Sequence, residues 1–362
     1  MADRVTDTNF DRVRRALLRQ GQGDRVPLFE LSIHKSIEEK FLGRKIEGLA
    51  DEIDFWRTAG YDFVSARAGV RSIVRGLHPA VKQWRSIRQE ASAESGKEGW
   101  VGDAAGFIRT RRDLDDFPWP APEDLGGQIG YASLDAYLED VRRRLPGDMK
   151  LIVQLGYLFM GAWQLMGFEN FGMQLADDPE FVQTIVERLA TSQSAVLEIL
   201  LQHETVGAVW MPDDLCYNSG PMVAPRIYRQ YIYPWYVKMV ERCHEAKIPV
   251  GLHSDGDLTK LLPDLVQCGF DCIHPFEPPL NDIVQVKRTW GHRIAVAGNI
   301  DLKATLCLGT PESVAAEVRA KCAALAPGGG WLLGSSNSIP DFVPIENYRA
   351  LLASGLQCRT AG

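Results

Sequence analysis

The residues best suited to chemistry stand at the ends of short apolar runs. They are Asp213-Asp214 after Val209 to Pro212, His253-Ser254-Asp255-Gly256-Asp257, Glu277 before Pro278-Pro279, Asn299 and Asp301, and Ser335-Ser336-Asn337-Ser338. An imidazole and a carboxylate two positions apart, as in His253 and Asp255, can grip one metal ion or share one proton. Gly256 permits a turn sharp enough to keep both over a pocket. A metal needs further ligands, and Asp214, Glu277 or Ser336 are the residues that could complete the set. Adjacent carboxylates on a strand point to opposite sides, so only one of Asp213 and Asp214 faces a common pocket. Asp214 is taken as that one, and the competing role for such an acid is to bond loop amides ahead of the helix at Pro225. Glu277 is held by the abrupt turn that two following prolines impose. Asn299 and Asp301 offer an amide and a carboxylate, and the small hydroxyls and amide of Ser335-Ser336-Asn337-Ser338 suit hydrogen bonds to an anion or an ether oxygen.

These groups converge only if the apolar runs are parallel strands whose carboxyl ends share a face. Eight candidates satisfy this: Arg25–Glu30, Tyr61–Arg67, Lys150–Tyr157, Ala208–Leu215, Ile248–His253, Cys272–Glu277, Ile294–Asn299 and Gly330–Gly334. Between them lie segments of helical period, several opened by proline (Pro179, Pro225, Pro311, Pro344), which at the first helical position gives up only an amide with no intrahelical partner. Strand alternating with helix eight times predicts a (β/α)8 TIM barrel, an α/β fold with its active-site mouth at the strands' carboxyl ends. A first helix over Phe10–Arg19 caps the opposite end. One connection, residues 68–148, is far too long for the repeat. It is read as an excursion with a hairpin near Trp100–Thr110 and a helix near Ser133–Arg144, forming a wall or lid of a single domain spanning 1–362. Gly328-Gly329-Gly330 precedes the last strand and reads as a turn, and no phosphate-binding glycine motif stands in a proper context.

The bulk numbers exclude several classes. A net charge of −7 with dispersed Lys and Arg offers no nucleic-acid face, and no apolar stretch is long enough to span a membrane. The residues after Met1 carry no secretory pattern, so a cytoplasmic location is expected. Seven cysteines with no CxxC pair fit reduced, buried thiols rather than a disulfide framework.

The order of these motifs resembles the uroporphyrinogen decarboxylase superfamily, which includes cobalamin-linked methyltransferases. The resemblance rests on Arg25-Val26-Pro27, Phe117-Pro118-Trp119-Pro120, Asp213-Asp214-Leu215 with Asn218-Ser219-Gly220-Pro221, His253-Ser254-Asp255-Gly256, Phe276-Glu277-Pro278 and Gly298-Asn299-Ile300-Asp301. True decarboxylases of the family carry Arg-Gln-Ala-Gly-Arg and Phe-Ser-Asp where this chain reads Glu30-Leu31-Ser32-Ile33-His34 and Phe63-Val64-Ser65-Ala66-Arg67. Tetrapyrrole decarboxylation is therefore not expected. The thiol-methylating members hold zinc with His-x-Cys and a later Cys, positions that correspond here to His253, Asp255 and Ser336. Oxygen donors in place of thiolates harden the site.

What the resemblance implies is a methyltransferase of the O-demethylase type. His253 and Asp255 would hold zinc, and Asp214 or Glu277 would complete the shell or protonate the departing oxygen. Tyr157, Asn218, Asn299, Ser336 and Arg67 would contact substrate, and a separate corrinoid protein would receive the methyl group. The family also suggests a homodimer. Two other readings compete: a metal-free decarboxylase of a small acid, with His253 or Arg67 stabilising a carbanion and Asp214 carrying the proton, and a non-catalytic ligand-binding member of the fold.

Overall fold

The computed structural model describes residues 7–21, 23–68, 71–75, 78–91, 106–122, 124–125 and 131–359. Its centre is a seven-stranded, wholly parallel sheet in an α/β arrangement. The strands are β1 (Phe63–Arg67), β2 (Lys150–Gln154), β3 (Val206–Pro212), β6 (Val250–His253), β7 (Cys272–His274), β8 (Ala295–Ala297) and β9 (Trp331–Leu332), in that spatial order. The two-residue strands β4 (Cys216–Tyr217) and β5 (Gly220–Pro221) form an antiparallel hairpin on the connection after β3. Sequential order in a parallel sheet requires each connection to cross back over one face, and long helices such as Pro179–Leu201, Tyr233–Glu245 and Pro311–Leu325 supply the crossovers.

The expected first strand, Arg25–Glu30, is not a strand of this sheet. Its neighbourhood contributes single bridges, Leu28 to Leu333 in parallel and Arg25 to Arg359 in antiparallel. Pro27 cannot donate to a ladder, so only its carbonyl is used, accepting from the Leu333 amide at 2.9 Å. On the other side the backbone meets side chains: the Leu31 carbonyl accepts from Ser65 Oγ at 2.7 Å and from Gln154 Nε2 at 2.5 Å. The segment thus lies between β9 and β1, held by backbone bonds of Pro27 and Phe29 to Leu333 on one side and by side chains on the other.

Phe29, Phe63 and Trp210 fill the middle of the sheet's inner face. Phe29 lies 4.7 Å from Trp210 and 5.6 Å from Phe63, centroid to centroid. Gly251 makes this possible, because a Cβ there would come within 2.5 Å of the Trp210 ring. At the amino-terminal end of the strands Asp62, wholly buried, accepts from Arg12 and, at 2.9 Å, from Arg25, while Arg12 also reaches Asp24 at 2.7 Å. This knot fastens the helix Phe10–Leu17 beneath the sheet, opposite the strands' carboxyl ends.

In the connection between β1 and β2 the helix expected near Ser133–Arg144 is present as Leu134–Arg144, with Ser133 as its N-cap. Most of the expected hairpin, Trp100 to Ala105, lies outside the described residues, and residues 106–110 form no strand. They run instead against the helix Phe159–Met166, where the Ile108 amide donates to the Leu165 carbonyl at 2.8 Å. The expectation of reduced thiols holds for Cys216, Cys243, Cys268, Cys272 and Cys307 but not for Cys322 and Cys358, which are joined. The packing of helix Pro311–Leu325 against helix Ile345–Gly355 brings their Cα atoms to 6.0 Å, an ordinary disulfide separation that sequence spacing did not reveal. No helix among the described residues is long and apolar enough to cross a membrane.

Candidate functional site

Three neighbouring strands end at one level. Register pairs Pro212 of β3 with His253 of β6, and His253 with His274 of β7. Residues in parallel register share a face, so the groups that leave these strand ends meet. His253 Nε2 lies 3.4 Å from Asp255 Oδ1 and 3.7 Å from Asp214 Oδ1. Ligands about 2.0–2.1 Å from a tetrahedral zinc are separated from each other by roughly 3.3 Å, so the imidazole and the two carboxylates stand near the edges of one coordination tetrahedron. The three offer one donor atom each, all within 4.8 Å of one another.

The surroundings explain how the acids are held. The Asp255 amide donates to Asp214 Oδ1 at 3.1 Å, and Asn337 Nδ2 donates to Asp255 Oδ2 at 2.9 Å. Asp255 Oδ1, the atom facing the imidazole, is sealed from solvent and has no hydrogen-bond partner. A buried carboxylate oxygen without a donor is costly, so the donor set fits a cation. Burial pushes the Asp255 carboxyl up to about 7; Asp214 and Glu277 add to this, against the pull of His253 and Asn337. Glu277 stands outside the three-residue set and accepts the Gly256 amide at 2.8 Å, bracing the turn. That turn admits no side chain: Gly256 has φ +86°, and a Cβ would come within 2.6 Å of the Cys216 carbonyl oxygen.

The other expected site residues divide into two groups. Arg67 closes β1 on an accessible face, with Ser32 Oγ as a hydrogen-bond partner, and burial by its surroundings pulls the guanidinium below the usual arginine range. Tyr157 follows β2 and is buried. Asn218 is exposed at the tip of the β4–β5 hairpin. Asn299 and Ser336 are buried and bonded into the frame. The Asn299 amide donates to the Phe276 carbonyl and accepts from Lys321 Nζ, and Ser336 Oγ accepts the Leu302 amide at 3.0 Å. Those atoms of both side chains are thus engaged with the frame.

The sequence singles out Asn337 only as the amide of the Ser335–Ser338 run, and His274 escapes the sequence reading. Asn337, one position beyond Ser336, is the one that reaches the acids. His274 places its Nδ1 2.8 Å from His253 Nδ1. It could have been found by noticing that two neighbouring strand candidates each carry a histidine, but with the second strand extended to Glu277 the two did not stand in register.

A second buried acid lies beside the site. Glu30 accepts the Ser335 amide and the Ser335 hydroxyl, both at 2.7 Å. Burial pushes its carboxyl up to about 8, against the pull of those two donors. The folded value lies above the unfolded value of about 4.3, so the stability this group contributes is complete below the unfolded value and is lost as pH rises through 8. The expected result is a melting temperature that falls between pH 5 and pH 9. Glu30→Gln should flatten that slope in a thermal-melt series, and an unchanged slope would place its origin elsewhere.

The chain is 26% identical over 236 residues to the methylated-thiol–coenzyme M methyltransferase of Methanosarcina mazei, a match covering 65% of this chain and 60% of that protein. It is 24% identical over 260 residues to the uroporphyrinogen decarboxylase of Citrobacter koseri, 68% of each. A match of 27% over 136 residues, 38% of each chain, links it to a methylcobamide:CoM methyltransferase of Methanosarcina barkeri. In fold it is similar to a solved methyltransferase from Methanosarcina mazei, with a TM-score of 0.70 and 18% identity over 96% of this chain and 97% of that one. The sequence pattern of the uroporphyrinogen decarboxylase (URO-D) family matches residues 103–355, more than half of the chain, and the protein belongs to that family.

Proposed function

We propose that this chain is a corrinoid-dependent methyltransferase component that takes a methyl group from a small methyl ether, aromatic in the simplest case, and delivers it to a corrinoid carried by a separate protein. The observation that carries the reading is the unpartnered Asp255 Oδ1 facing His253 Nε2 with Asp214 beside them, spaced as ligands of one cation. Methyltransferases among the chain's relatives point the same way. We take the chain as one closed eightfold barrel domain, in which these strand ends line the mouth.

His253, Asp255 and Asp214 would hold zinc. Bound there, zinc supplies Lewis-acid polarisation of the ether oxygen while the partner's corrinoid accepts the methyl group. Oxygen donors suit an ether better than a thiol. Glu277, which accepts the Gly256 amide, would pass a proton taken up from solvent to the departing oxygen. Arg67, Tyr157 and the hairpin bearing Asn218 flank the substrate.

The exposed large apolar side chains among the described residues support a protein partner. They are Met173, Tyr217, Val284, Leu308 and Phe342. Each lies between a strand's carboxyl end and the helix that returns from it, or in that helix's first turn. Apolar exposure on the connections that leave the strands' carboxyl ends suits a partner docking at that end.

The test is to mix the chain, zinc, a methoxylated aromatic and a reduced corrinoid protein. Methylated corrinoid and free phenol should form in equal amounts. Carbon dioxide released from an organic acid without corrinoid would replace this reading with a decarboxylase.

A further inference from the structure

Arg67 stands on the same face of the sheet as His253. Side chains alternate along a strand, and residues paired in parallel register share a side. Register runs from Arg67 to Gln154, from Gln154 to Trp210 and from Trp210 to Gly251, two positions before His253. Phe63 and Ser65 precede Arg67 on that side, where the Phe63 ring packs 5.6 Å from Phe29 and the Ser65 hydroxyl donates to the Leu31 carbonyl. β1, β2, β3 and β6 are successive neighbours, so strand spacing puts roughly 14 Å of sheet between Arg67 and β6, a gap bridged by one molecule with different groups at its two ends. We infer that Arg67 holds a carboxylate of the substrate, so that the methyl donor is a methoxylated aromatic acid with its anionic end at Arg67 and its ether at the cation site. The inference rests on the methyl-ether reading above for the ether end.

Three observations support an anion at this place. First, the guanidinium is exposed at the end of β1, yet its surroundings desolvate it and pull it below the usual arginine range. A side chain open to solvent and still crowded by protein lines a concavity, where a charge is screened less than on an open surface. Second, among the described residues no acid forms an ion pair with Arg67, and the hydrogen-bond partner of the guanidinium is Ser32 Oγ, one acceptor for a group with five donors. Third, the charge of Arg75, exposed after the helix Arg71–Val74, opposes that of Arg67. Glu38 offsets only part of this, since burial pushes its carboxyl up to about 7. Two guanidinium groups that repel each other leave an excess of positive charge in a chain whose net charge is −7. One carboxylate offsets that excess, and its two oxygens match the paired N–H donors of a guanidinium.

The test is calorimetric titration of the full chain with 2-, 3- and 4-methoxybenzoate, each against the neutral methoxybenzamide of the same pattern. At least one acid should bind roughly 10–100-fold tighter than its amide, the range for a hydrogen-bonded charge pair. If no acid binds ahead of its amide, the inference is overturned. Arg67→Gln should bring acid and amide to similar affinity, and a preference that survives the change also overturns it.

A carboxylate can also sit on a metal, so the titrations are run both with zinc and after a chelator has stripped the chain. The preference for the acid should persist without metal. If it disappears with the metal and survives in Arg67→Gln, the carboxylate is a metal ligand, and the inference fails while the cation site stands. If the preference follows Arg67 but the best-bound acid methylates no corrinoid, the methyl-transfer reading fails and the anion subsite stands. Should Arg67→Gln not fold by circular dichroism, Arg67→Met, which keeps the apolar stem and removes the charge, takes its place with the same two outcomes.

Discussion

Replacing His253 by alanine should strip zinc from the chain and lower methyl transfer by roughly 10³-fold or more, the several kcal/mol that a bound Lewis acid supplies. The reason is the composition of the donor set. Without the imidazole two carboxylates remain, Asp214 and Asp255, already linked through the Asp255 amide. Two hard oxygen ligands make an incomplete and less selective site for zinc. The same deletion removes the positive pull that opposes burial of Asp255, leaving that carboxyl neutral over a wider range of pH and weaker still as a ligand. The check is metal content per chain alongside the rate of corrinoid methylation, with a circular-dichroism spectrum to show that the fold is kept. A variant that keeps full activity without zinc would end the Lewis-acid reading. Asp255→Asn tests the same set from the oxygen side and should lose metal with little loss of stability, because Asn337 can still pair with the amide.

The placement of the chemistry was legible in the sequence because strand ends in a parallel sheet are legible. A polar residue that interrupts an apolar run marks a carboxyl end, and Asp214, His253 and Asp255 came together for that reason alone. Of the adjacent acids after β3, alternation gave the mouth to one and the loop amides to the other, and the structure seats Asp213 on amides at the start of Phe159–Met166 rather than ahead of Pro225. What stayed hidden depends on neighbours brought by the fold. Asn299 has φ +136° and an amide engaged at both ends, neither of which a side-chain type reveals. Asn337 rather than Ser336 reaches the acids because Ser336 is drawn to the Leu302 amide. Arg25–Glu30 reads as a strand by composition, yet its pairing is confined to a single bridge at Leu333 on one side and gives way to side-chain partners on the other. Cys322 and Cys358 are 36 residues apart and meet only because two helices pack.

Asp213→Ala should cost the fold more than any change in the candidate metal set, about 3–5 kcal/mol, the range expected when a buried, multiply bonded acid is removed and its partners stay behind. Asp213 is 1% exposed, and both its oxygens are engaged. Oδ2 accepts the amides of Leu158 and Phe159 at 3.0 and 2.7 Å and the Tyr236 hydroxyl at 2.7 Å, while Oδ1 accepts the Met160 amide at 2.7 Å. The three amides belong to the first turn of the helix Phe159–Met166, which has no intrahelical acceptor for them. Removal therefore leaves three helix-start amides and a fully buried tyrosine hydroxyl unpaired together. Asparagine should recover part of the loss, since one oxygen can still serve the Oδ2 partners, but its NH2 would then confront the Met160 N–H. Asp214→Ala is the control: it is half-buried, and the bond it loses is to the Asp255 amide, so its cost should be near 1 kcal/mol. Urea unfolding at constant m measures all three. If the alanine variants at 213 and 214 shift the midpoint equally, the division of labour between the two adjacent acids is wrong, and Asp213 must be reconsidered as part of the chemistry rather than of the helix start.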